Sequence, residues 1–294
     1  LIILGPIVVL TVVRLFNASL QVPLEYDNLA YHLPFAVEWM RTGDLLQIYY
    51  SAFASPLGYY PSNFELIDLW AMLPFNNDYL VNLINFPIAA LLIIALYSLC
   101  QRLSFSKTLS VVVIGLFMYM PQTLRQLGVP LVDLFFSFTF IAALYFFVEY
   151  IKTSSRNDLI LFGLSLGLFM GTKYLGIVYA TLPVGVIFLS ILIKRRIDIR
   201  KIVKDVGAVA LTIILTGGFW YIRNWIDAGN PLFPVNVQLG TQTIFEGYQG
   251  ISERLFGYSL IDNVTTVAKF KEFARAFYAM VGVHIFLIPL VFAG

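Results

Sequence analysis

Long apolar stretches alternate with short polar ones along the 294 residues, and eight of them have the hydropathy of membrane-crossing helices. They fall at roughly 1–16, 80–100, 108–121, 131–151, 158–172, 175–193, 205–222 and 277–293. The third and fifth are short and are expected to be tilted, extended or partly re-entrant. Between the first two lies another pattern. Leu29, Leu33, Ala36, Val37 and Met40 recur at helical spacing, Glu38 and Arg41 fall off that stripe, and Thr42-Gly43-Asp44 stops it. This predicts a helix lying in the membrane surface, with Trp39 as its interfacial anchor. A second loop helix is predicted from Ser62, an N-cap with Glu65 three residues on, to Leu73. Tyr49, Tyr50, Tyr59 and Tyr60, with Pro56 and Pro61, form an irregular strip that is either an interfacial belt or a wall for a sugar or peptide.

Composition narrows the class. With 59% hydrophobic and 12% charged residues, against about 25% charged in average domains, a soluble globular protein is excluded. The expected fold is all-α: one polytopic transmembrane bundle over 1–294, with a long first extracytoplasmic loop at 17–79 carrying interfacial helices. A second outer loop at 223–276, balanced in charge and rich in turn formers, is expected to be a small helical cap or a lid. The chain starts without Met and stops inside an apolar run, so a longer parent protein is expected, incomplete here at both ends. Cys100 is the single cysteine, and no CxxC or HExxH occurs, which disfavours a Cys/His metal site.

Charge orients the bundle. Arg102 and Lys107, Lys152 and Arg156, and the run from Lys194 to Lys204 sit in alternate loops, which the positive-inside rule makes cytoplasmic. The loop 17–79 instead holds seven acids against one base, Arg41, and faces outward.

Five charged residues then fall at the outer ends of separate segments: Asp27, Asp133, Arg125, Lys173 and Arg223. Cations on the outer side run against the orientation rule. A phosphate held at the membrane surface accounts for them, because Arg and Lys pair strongly with its oxygens.

Asp27 followed by Tyr31-His32-Leu33-Pro34 and Trp39 resembles the C-type (GT-C) superfamily of integral-membrane glycosyltransferases. Tyr60-Pro61 with Glu65, Gly171-Thr-Lys173-Tyr-Leu-Gly176, and Arg223-Asn-Trp225 before Gly229-Asn-Pro231-Leu-Phe-Pro234 are similar to segments of its protein-mannosyltransferase-like and aminoarabinose-transferase-like branches. The resemblance spans about Asp27 to Pro234, and the chain is shorter than is usual there.

The resemblance implies hexosyl or pentosyl transfer from a polyprenyl-phosphate sugar to an acceptor protein, glycan or lipid. The active site would lie on the extracytoplasmic side of a multi-pass plasma-membrane protein. Asp27 would be the base and Asp133 the second acid, either shaping the sugar site or, with Asp27, holding a divalent cation such as Mg or Mn. Lys173 and Arg223 would hold the phosphate, with Arg125, His32, Tyr60 and Glu65 as further substrate-binding candidates. His32 is open to a local packing role, and His284 reads as buried in the last span. Asn17-Ala-Ser19 and Asn263-Val-Thr265 match the glycosylation acceptor pattern. The lipid bilayer is an implied partner, further subunits are possible ones, and nucleic acid is not. Two rival classes stand: a non-catalytic subunit of a larger membrane complex that keeps the fold, and a lipid or solute transporter. The apolar span centres weigh against the transporter, since only Gly217-Gly218 offers a helix break.

Overall fold

The computed structural model describes residues 4–46, 56–193, 199–248 and 265–281. Helices account for most of it: α1 (Leu4–Leu20), α2 (Leu33–Thr42), α3 (Asn63–Met72), α4 (Asn85–Arg102), α5 (Lys107–Met118), α6 (Pro121–Gln126), α7 (Asp133–Thr153), α8 (Arg156–Met170), α9 (Leu175–Ile193), α10 (Ile199–Ala228) and α11 (Val267–Val281). Among the described residues three helices are long and apolar enough to cross a membrane: Val81–Arg102, Asp133–Thr153 and Arg200–Ala228. Gly5–Leu20 and Lys107–Met118 are apolar but shorter. The stretch 282–294, most of the expected last span and its His284, lies outside the described residues, as do Tyr49, Tyr50 and Asn263.

The centre of the bundle is the succession α4–α7–α8–α10, each packed on the next. One apolar cluster joins α3, α4 and α7 through Phe64, Leu92 and Phe135; another joins α7 and α8 through Phe147, Phe162 and Phe169. Lipid is as apolar as a core, so close packing and hydrogen bonds must hold such helices together. The α8–α10 contact shows how. A Cβ on Gly163 would stand 2.0 Å from Thr212 Oγ1, and one on Gly167 would stand 2.1 Å from Thr216 Oγ1 and 2.8 Å from Ile213 Cα. One on Gly217 would meet the Gly167 carbonyl oxygen at 2.2 Å. The two backbones touch because these positions carry no side chain.

Polar groups gather at the two ends. At one end Arg102 pairs with Glu149 at 2.5 Å and Tyr150 donates to Asp205 at 2.5 Å. The other end gathers the end of α1, the starts of α4 and α7, the α8–α9 junction and the end of α10. There Asn82 donates to the Gln21 carbonyl at 2.6 Å, and Asn85 reaches the carbonyls of Gln126, Val129 and Leu131.

Three loop expectations change. The buried face of the first loop helix is Asn28, His32, Leu33, Phe35, Ala36 and Trp39, whereas Leu29 is 56% exposed. Trp39 is buried and stacks on Trp220 at 5.5 Å between ring centroids, so it is a packing residue and not a surface anchor. The cause is a π-turn over Asn28–His32, closed by the Leu33 N–H on the Asn28 carbonyl, which shifts the register ahead of α2. Next, α3 starts as expected, but without a capping box. The Ser62 hydroxyl donates to the Tyr60 carbonyl, and Glu65 turns to His32. Finally, the fold is not purely helical: β1 (Val237–Leu239) and β2 (Gln242–Phe245) pair antiparallel around Gly240, whose φ is 62°. Period-two alternation is hard to see in so short a segment.

Candidate active site

Asp27 opens the π-turn. The i→i+5 bond widens the turn, so residues four apart share a side. Asp27, exposed, and Tyr31, half-buried, lie on one side, while Asn28 and His32, both buried, lie on the other. Around the Tyr31 phenol stand Asp27, Glu65, Tyr60 and Asp133. Burial first, and then the carboxylates of Asp27, Glu65 and Asp133, push its pKa far above the ordinary phenol value, so it is a neutral hydrogen-bond donor.

On the buried side, His32 Nδ1 lies 2.5 Å from Glu65 Oε1, and both side chains are 4% exposed. One turn along α3, Asp68 is fully buried, and neither carboxylate oxygen has a hydrogen-bond partner. Burial, then the neighbouring Glu65, raises its pKa well above the carboxylate range, which favours the protonated form of Asp68. Glu65 Oε2 and both amide atoms of Asn28 are likewise buried without partners.

Arg125, at the end of α6, grips Glu25 with two parallel bonds, Nε to Oε1 at 3.2 Å and Nη2 to Oε2 at 2.7 Å. Its guanidinium also feels the charge of Asp27. Asp133 is the first residue of α7, where the helix dipole favours a carboxylate. Its Oδ1 pairs with Lys173 and its Oδ2 accepts from Gln126 Nε2 at 3.0 Å. Gln126 is itself fixed, since its side-chain oxygen accepts the Leu134 N–H at 3.2 Å. Lys173 and Asp133 remain partly open to solvent.

Arg223 stands apart. It is buried, lies over the Trp220 ring at 5.0 Å and donates from Nη2 to the Gly58 carbonyl at 2.8 Å. Its neighbour Asn224 donates to the Tyr59 carbonyl at 2.8 Å and to the Tyr174 hydroxyl at 2.9 Å. The end of α10 thus holds the turn 57–60 in place, and Tyr60 from that turn meets Tyr174 edge to face at 5.4 Å. Lys173 and Tyr174, adjacent in sequence, join the acidic group to this second network.

The structure therefore brings together Asp27, Asp133, Lys173, Tyr60 and, two residues from Asp27, the Arg125–Glu25 pair. It buries His32 and Glu65 on each other and gives Arg223 to a backbone carbonyl. Sequence reasoning missed Tyr31, Gln126, Asp68 and the amide anchors Asn63 and Asn85. Their signal was present: a polar amide at the apolar end of a span costs free energy unless bonded. Both oxygens of Asp133 are engaged, by Lys173 and by Gln126, and among the described residues no three His, Cys, Asp or Glu converge.

A family profile described as dolichyl-phosphate-mannose-protein mannosyltransferase matches residues 38–224, a span that takes in Tyr60, Glu65, Arg125, Asp133, Lys173 and Arg223 and starts after Asp27 and His32. Comparison with curated proteins returned no matching relative.

Proposed function

We propose that this chain, which belongs to the dolichyl-phosphate-mannose-protein mannosyltransferase family of membrane glycosyltransferases, uses Asp27 as the base that activates an extracytoplasmic acceptor hydroxyl. The donor is a sugar on a polyprenyl phosphate. The acceptor oxygen attacks the anomeric carbon as its proton passes to Asp27. The bond from that carbon to the phosphate oxygen breaks, the polyprenyl phosphate departs, and the anomeric configuration inverts. A phosphate is a good leaving group without protonation, so the residues must supply a base and positive charge. Lys173, held by Asp133, and Arg125, held by Glu25, carry that charge, and the neutral Tyr31 hydroxyl is a donor to sugar or phosphate oxygens. Arg223 serves by holding the turn that presents Tyr60. The observation that carries this reading is that two cations are held by fixed carboxylates here, Lys173 on Asp133 and Arg125 on Glu25, the latter two residues from Asp27.

The test uses protein reconstituted in liposomes with radiolabelled polyprenyl-phosphate mannose and an acceptor peptide or glycan. Asp27→Asn is expected to abolish transfer while binding of the donor persists. Transfer that survives this substitution would remove Asp27 as the base.

A further inference from the structure

We infer that His32 and Glu65 are positioning residues that fix the direction of Asp27, an inference that rests on Asp27 being the base. Their side chains are 4% exposed, so neither reaches a substrate without the loop opening. They join the end of the π-turn to α3, two segments 33 residues apart in sequence. A buried pair of this kind adds little net stability, because desolvation offsets attraction; what it supplies is one permitted register.

That register matters because of the turn it closes. A π-turn is a rare, single-turn departure from the α-helix. Relaxation to regular α geometry would remove its extra residue and rotate everything ahead of His32 by about 100°, the angle of one residue in a helix of 3.6 per turn. Asp27 would then leave the side it shares with Tyr31, and Asn28 would leave its buried position. The His32–Glu65 bond sits at the C-terminal end of the turn and the buried Asn28 at its start, so the pair opposes that rotation where it would begin. The titratable groups that face the pair are Asp68 on α3, beside Glu65, and Tyr31, whose ring lies 4.1 Å from that of His32.

The experiment measures steady-state transfer in the reconstituted full chain for Glu65→Gln and His32→Gln, each made in the native background and in Asp27→Glu. Asp27→Asn runs alongside, and the stoichiometry of fluorescent polyprenyl-phosphate binding counts folded protein. Positioning predicts a fall in kcat of about 10–100-fold, the scale of a misplaced catalytic group, with donor KM and binding stoichiometry unchanged. It also predicts a much smaller further loss in the Asp27→Glu background, where the base is already displaced. A raised KM at unchanged kcat would make the pair a substrate contact and overturn the inference. Equal losses in both backgrounds, or a loss that follows binding stoichiometry, would make the pair structural only. Full activity of Asp27→Asn would remove the base and the positioning role together, whereas an inactive Asp27→Asn beside additive losses would remove the positioning role alone.

Discussion

The side-chain oxygen of Asn63 accepts the indole N–H of Trp220 at 2.8 Å, and both residues are buried. The same side chain donates to the carbonyls of Leu168 at 3.2 Å and Thr216 at 2.9 Å, and its backbone N–H donates to the Gly171 carbonyl at 2.9 Å. One amide at the start of α3 thus ties the loop helix to α8 and α10 together. Asn63→Ala is expected to cost about 1–3 kcal/mol, the price of orphaning buried partners. Thermal unfolding in detergent, followed by tryptophan emission, measures it. A melting temperature equal to the native one would show that this amide is dispensable.

The glycines of α8 make a contrasting pair with Gly185 on α9. A methyl at Gly167 collides with Thr216 Oγ1 and Ile213 Cα, whereas one at Gly185 meets nothing within 4 Å. Gly167→Ala should destabilise by about 1–3 kcal/mol, as overpacking does, and Gly185→Ala should be near neutral. Adding Thr216→Ala to Gly167→Ala should recover only part of the loss, since the backbone clash stays. Melting temperatures of the four proteins decide this.

Lys173→Met is expected to lower kcat/KM for the lipid donor by about 10²-fold, the scale for losing a donor to a developing oxyanion, with little change in stability. The pair with Asp133 is partly exposed, and such pairs add little to folding. Gln126→Leu should give a smaller defect in the same direction, because Asp133 keeps Lys173 but loses its second anchor. Initial rates against donor concentration separate the two. A stability loss that matches the activity loss would instead mark Lys173 as structural.

Asp68 carries a pH signature. Its pKa is raised in the folded protein, so the unfolded chain gives up this proton at lower pH than the folded one. Between the usual carboxylate pKa and the raised one, the folded state holds the extra proton, and stability falls as pH rises. Asp68→Asn removes that burden. The variant should unfold at a higher temperature than the native protein near neutral pH, with the gain shrinking as pH falls toward 4, and melting curves across pH 4–8 test the sign.

Much of the bundle was legible because its signals are local. Membrane-length apolar runs foretold α4, α7 and α10, and the acid at the head of α7 and the lysine between α8 and α9 stood out as charges at apolar ends. The loop faces were not legible. In a membrane protein an apolar stripe reads alike whether it meets lipid or protein, so Trp39 looked like an anchor although it stacks on Trp220. The one-residue shift of the π-turn leaves no periodic trace in five residues, and it decides which of Asp27 and Asn28 is buried. The His32–Glu65 pair joins residues 33 apart, and the local signals at each pointed elsewhere, Glu65 to a cap and both to a substrate. Nothing in the segment around Arg223 reveals that one of its donors meets the Gly58 carbonyl.

The bare seam between α8 and α10 constrains motion as well as strength. With bare glycine positions against the facing backbone and only the Thr212 and Thr216 hydroxyls filling the seam, the two helices resist rolling or sliding along each other and behave as a single stiff plate. The 57–60 turn and Asn63 are both fastened to that plate. Through Asn63 and then the His32–Glu65 pair, the turn that carries Asp27 is tied to the same plate, so the base keeps a fixed place relative to it.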